Sequence, residues 1–122
     1  MMSGYVNGNR EAIIQIALVG DNNALKSVKA IIDTRFTGDL TLPRAIIDEL
    51  DFPLRGFQEV ILGYSSIQYF KMCVGSIIWD GKMKRIEINS AETDSLVGMG
   101  LLEDYKLEIE ARLNGQVKIT PL

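Results

Sequence analysis

The chain has 122 residues, 47% of them hydrophobic, a formal net charge of −3, a single cysteine and no histidine. That composition suits one compact domain with a real core and is far from that of a disordered chain. The missing histidine removes Ser-His and Cys-His nucleophilic sites and the common zinc sites, and an acidic balance without a basic cluster argues against a nucleic-acid partner.

Other classes fall away as quickly. The longest apolar-rich stretch, Ala12 to Gly20, is broken by Gln15 and is too short to span a bilayer, so no membrane is expected. Met1 to Tyr5 carries no secretory pattern, and a lone Cys73 excludes an intrachain disulfide; both readings place the chain in the cytoplasm. No Gly-x-Gly-x-x-Gly or P-loop pattern occurs. Carboxylate catalysis, which requires no metal or cofactor, is what remains among familiar hydrolytic chemistries.

In chain order, residues 1–10 are short, polar and glycine-containing, and read as a loose end. Residues 11–122 read as a single domain. Glu11 to Val19 is a strand rich in isoleucine and valine, Gly20 to Asn23 a turn, and Ala24 to Ile32 the returning strand. Asp39 to Leu42 is a short strand ending at Pro43, after which Ile46, Ile47 and Leu50 show helical spacing. Phe57 to Leu62 and Ile67 to Trp79 flank Gly63-Tyr64-Ser65-Ser66, a hairpin tip, and Gly75 marks a bend in the second of these strands. Asp80-Gly81 marks a two-residue hairpin into Lys82 to Ile88, and residues 89–95 read as turn. Leu96-Val97-Gly98 is a short apolar strand, Met99 to Asp104 one or two helical turns, and Lys106 to Ala111 and Gln116 to Thr120 flank Asn114-Gly115. About eight short strands and two short helices spaced this way describe an all-β, closed or nearly closed barrel.

One stretch stands out chemically. In Ile31-Ile32-Asp33-Thr34-Arg35-Phe36-Thr37-Gly38 an apolar strand runs into a carboxylate, a hydroxyl and a glycine-closed loop. An ionised carboxylate at the end of a buried strand is costly without a partner or a proton. This stretch resembles the active-site loop of the retropepsin-like aspartic proteases, apolar-apolar-Asp-Thr/Ser-Gly. The resemblance extends through Phe36 to Pro43, the Trp79-Asp80-Gly81 turn and Leu96 to Leu102. It is closest to small bacterial single-domain members.

The resemblance implies a retropepsin-like barrel and an aspartic endopeptidase. In that family two aspartates face one water and share a proton. Asp33 supplies one of them, so activity implies a homodimer acting on a peptide or protein substrate. By the same resemblance Thr34 braces the loops across the dimer axis, Thr37 and Gly38 lie along the substrate, and Gly63, Tyr64 and Ser65 form a flap tip. Leu96, Val97 and Gly98 pack behind the loop and shape the side-chain pockets. The departure is Arg35, which stands where the family has glycine. A cation beside Asp33 favours the ionised carboxylate and opposes proton sharing. Two readings therefore follow: an active homodimeric endopeptidase, or a weak or inactive retropepsin-like module that binds peptides or dimerises.

Overall fold

The alternation of the second strand shows how the core is built. Along Ala12–Val19, Ile14, Ile16 and Leu18 are buried while Gln15 and Ala17 are exposed, the two-residue period of a strand with one face inward. A computed structural model of the chain describes residues 1–61, 67–92 and 94–122. Its strands are β1 (Met2–Val6), β2 (Ala12–Val19), β3 (Leu25–Ile32), β4 (Leu40–Pro43), β5 (Leu54–Ile61), β6 (Ile67–Trp79), β7 (Lys82–Ala91), β8 (Leu96–Val97), β9 (Tyr105–Ile109) and β10 (Gln116–Pro121). The helices are α1 (Arg44–Glu49) and α2 (Met99–Leu102).

All ten strands belong to one sheet in the order β5-β6-β7-β4-β8-β3-β2-β1-β10-β9, with β6 also pairing β2. That extra pairing, Ala17 to Val19 against Ser76 to Ile78, links β2, β3, β8, β4, β7 and β6 into a ring of paired neighbours. Leu18, Leu40, Leu42, Ile77, Ile88 and Val97 lie within the core cluster, each with no exposed surface. Removing such side chains from water supplies about 1.5–3 kcal/mol apiece, the main force holding the sheet curled.

Most sequence-predicted elements are present, and the hairpin dipeptide at Asp80-Gly81 works as expected. Both residues have positive φ, 53° and 77°, and Trp79 pairs directly with Lys82. Two expectations are corrected first. Met2–Val6 is a strand and not part of a loose end: it lies between β2 and β10, held in register from both sides. Its partners are remote in sequence, so nothing local announces it. Gly4 permits the close approach, because a Cβ there would strike the carbonyl of Ile13.

The strand expected over Lys82 to Ile88 runs on to Ala91, because Asn89, Ser90 and Ala91 pair in parallel with Thr41, Leu42 and Pro43. Gly75 does not interrupt β6. It is buried where a Cβ would press on Phe52 and Ile88, so it serves close packing at the point where β6 passes from pairing with β5 to pairing with β2. The β9–β10 hairpin forms around Asn114, with φ 60°, though its connection spans 110–115 and β9 stops at Ile109. The expected tip at Gly63 to Ser66 lies outside the described residues, while β5 and β6 pair up to Ile61 and Ile67 on either side.

Candidate active site around Asp33

Asp33 follows directly on the last residue of β3. The parallel pairing of β3 with β8 places it: the Ile31 amide donates to the Ser95 carbonyl at 2.8 Å and the Asp33 amide to the Val97 carbonyl at 2.9 Å. The loop then turns back on itself. The Phe36 amide donates to the Asp33 carbonyl at 3.1 Å, and the Arg35 amide donates to Asp33 Oδ1 at 2.9 Å, an Asx turn.

The far end of the loop is tied down equally firmly. The amides of Gly98, Met99 and Gly100 donate to the carbonyls of Asp39, Phe36 and Gly38, at 3.0, 2.8 and 3.0 Å. Gly98 has an ordinary extended φ of −104°, so its lack of a side chain matters for space and not for conformation. A Cβ there would collide with the Gly38 carbonyl and the Phe36 ring. Asp39 Oδ2 accepts from the Glu87 amide at 3.2 Å, joining the loop to β7.

A further anchor was not legible as a site residue. Thr41 is buried on β4, donates to the Asp94 carbonyl at 3.1 Å and accepts from the Leu96 amide at 2.8 Å. One hydroxyl thus satisfies two backbone groups just before β8 and fixes the strand against which Asp33 is registered. The sequence signal was only a threonine on a short strand.

The Asp33 side chain is 20% exposed and opens on a cavity of about 960 Å³. The β1–β2 connection, the ends of β3 and β7, β8 and the β9–β10 hairpin enclose it. Asp33, Thr34, Arg35 and Leu96 line this space together. Thr37, Gly38, Val97 and Gly98 do not: Val97 is fully buried in the core, Gly98 is packed under the loop, and Thr37 is exposed away from the cavity. Gly63, Tyr64 and Ser65 lie outside the described residues. The Thr34 hydroxyl has no hydrogen-bond partner among the described residues.

Arg35 lies beside the carboxylate and leaves it open. Its Nε donates to Asp33 Oδ1 at 3.4 Å, a long contact, and its side chain is 91% exposed. Among the described residues no group of three or more His, Cys, Asp or Glu side chains could hold a metal ion. No helix of the described chain is long and apolar enough to cross a membrane. What the arrangement offers chemically is a partly exposed Asp33 carboxylate, held by main-chain contacts at a strand end, in a cleft that Glu11 and Asp94 also line.

No family model matches the chain, and no curated protein matches it. Among solved structures it is similar to a retropepsin-like aspartic protease from Rickettsia conorii, with a TM-score of 0.61 and 22% identity over 98% of this chain and 90% of that one. The chain therefore has the mostly-β fold of the retropepsin-like aspartic proteases.

Proposed function

We propose that the protein is an aspartic endopeptidase that acts as a homodimer, each chain contributing Asp33 to a water-activating pair. The observation that carries this reading is the setting of Asp33 in the lining of the cavity, on the fold shared with a retropepsin-like protease. The ring of paired strands is consistent with the closed barrel of this reading.

One carboxylate cannot do the chemistry alone. A two-fold axis beside the loop brings a second Asp33 to the same water. Two carboxylates this close share one proton, as the catalytic pair of aspartic proteases does. The ionised member takes a proton from water, which attacks the scissile carbonyl while the protonated member polarises it. The Thr34 hydroxyls, without a partner among the described residues, are then free to bond across the axis. Gly63, Tyr64 and Ser65 would close over the peptide, with Thr37 and Gly38 alongside it and Leu96, Val97 and Gly98 forming or backing the pockets. The single buried Cys73 suits a reducing compartment such as the cytoplasm.

Cleavage of a randomised peptide library, by the protein and by Asp33→Asn, tests the reading. Cleavage lost in the variant supports it; cleavage unchanged sinks it. Arg35 favours a second reading, a peptide-binding module with weak or no hydrolysis, because its Nε engages the oxygen that proton sharing needs. Hydrolysis that emerges only in Arg35→Gly would support that second reading.

A further inference from the structure

Among the described residues, Nε is the only Arg35 guanidinium nitrogen engaged, by Asp33 Oδ1 at 3.4 Å. Both terminal nitrogens, Nη1 and Nη2, donate to no described residue. The paired donors of that edge match the two oxygens of a carboxylate, a geometry a lysine cannot offer. Glu11 and Asp94 line the same cavity, yet neither forms an ion pair with Arg35; Glu11 accepts instead from Asn7 Nδ2 at 3.0 Å. An open guanidinium edge therefore stands at the carboxylate proposed to activate water, two residues along the chain, in a cleft large enough for a peptide.

We infer that Arg35 is a specificity-determining residue that selects peptides carrying a carboxylate beside the bond to be cleaved. This rests on the endopeptidase reading above and names its substrate class. A peptide in the cleft would displace water from the 91% exposed arginine, and the pair would gain strength as the local dielectric falls. In a two-fold dimer there is one Arg35 on each side of the axis, so a carboxylate on either side of the scissile bond can be held. A glutamate or aspartate side chain and the C-terminal carboxylate of a short peptide present the same chemistry to this edge.

The test uses pools of reduced-amide octapeptides, which bind without being cut. One pool has Glu and one has Gln at the positions flanking the reduced bond, both with amidated ends; a third has Gln and a free C-terminus close to that bond. The protein is expected to retain a carboxylate-bearing pool about tenfold better than the neutral one, as one charge-assisted bidentate pair allows. Whichever acidic pool is preferred identifies the source of the carboxylate. In Arg35→Gln the ratio is expected to fall below about twofold, and in Arg35→Lys to lie between, since charge survives and the fork does not.

Equal retention by the wild-type protein, or a preference unchanged in Arg35→Gln, would overturn the inference. So would equal retention accompanied by dissociation of the dimer in Arg35→Gln, which assigns the open donors to the partner copy. Hydrolysis of matched pools with ordinary amide bonds separates the two claims. Hydrolysis without acidic preference removes the inference and leaves the endopeptidase. Acidic preference without hydrolysis keeps carboxylate recognition by Arg35 but removes the endopeptidase reading, and with it the role of Arg35 in cleavage specificity.

Discussion

Arg35 directs both its main-chain amide and its Nε at one oxygen of Asp33, at 2.9 and 3.4 Å. The first contact is an Asx turn that any residue at this position can make; the second belongs to arginine alone. Exchange for glycine therefore keeps the turn and frees the oxygen of its extra donor. An exposed pair of this kind is worth about 0–1 kcal/mol. Under the endopeptidase reading, Arg35→Gly is expected to raise kcat/KM on neutral peptides by up to about fivefold, read with a fluorogenic substrate. A fall in that rate would show that the arginine assists the chemistry.

Thr41 makes a separate claim about positioning. Its buried hydroxyl serves the Asp94 carbonyl and the Leu96 amide together. Thr41→Val keeps the shape and strands both groups, which is expected to cost about 1–3 kcal/mol in urea unfolding. Thr41→Ser is expected to recover most of that loss. Equal stability of all three proteins would remove Thr41 from the list of anchors.

Gly98 tests the packing under the loop. A methyl group at this position meets the Gly38 carbonyl, the Phe36 carbonyl and the Phe36 ring. Gly98→Ala is expected to destabilise by about 1–3 kcal/mol through overpacking, with activity falling further than the folded fraction does. Activity that simply tracks the folded fraction would mean that the loop absorbs the methyl without moving Asp33.

Alkaline pH probes the other side of the core. Burial, followed by the nearby Asp48 carboxylate, pushes the Cys73 thiol above its ordinary value of 9.0. The unfolded chain then loses this proton at lower pH than the folded one. Stability from this group is complete below about pH 9 and is lost as pH rises through the folded value. Burial and then Asp80 push the Tyr105 hydroxyl upward in the same sense. The urea midpoint is expected to fall as pH rises above about 9, and Cys73→Ala to flatten the early part of that fall. A midpoint independent of pH would contradict the burial of the thiol.

Local chemistry explains what the sequence disclosed and what it did not. Asp80-Gly81 dictates its own hairpin, and β2 announces itself by alternation. The Asp33 loop could be read because an apolar run, a carboxylate and a closing glycine are contiguous. By contrast β1, the extension of β7 to Ala91 and the β2–β6 pairing depend on partners brought together only by folding. The same applies to the site. Leu96 and Val97 are adjacent in sequence, yet the strand period sends Leu96 to the cavity and Val97 to the core. Thr41 could not be singled out because its two partners lie more than fifty residues away.

Subunit mixing tests the central claim, that two Asp33 side chains act as one pair. Wild-type protein and Asp33→Asn are combined in equal amounts, allowed to exchange subunits, and assayed for peptide hydrolysis. If each active site needs an Asp33 from both chains, only wild-type pairs cut, and activity per total protein is expected to settle at about a quarter of the wild-type value. Activity at about half would mean that each chain works alone, and activity equal to wild type would mean that Asp33 is not the catalytic group.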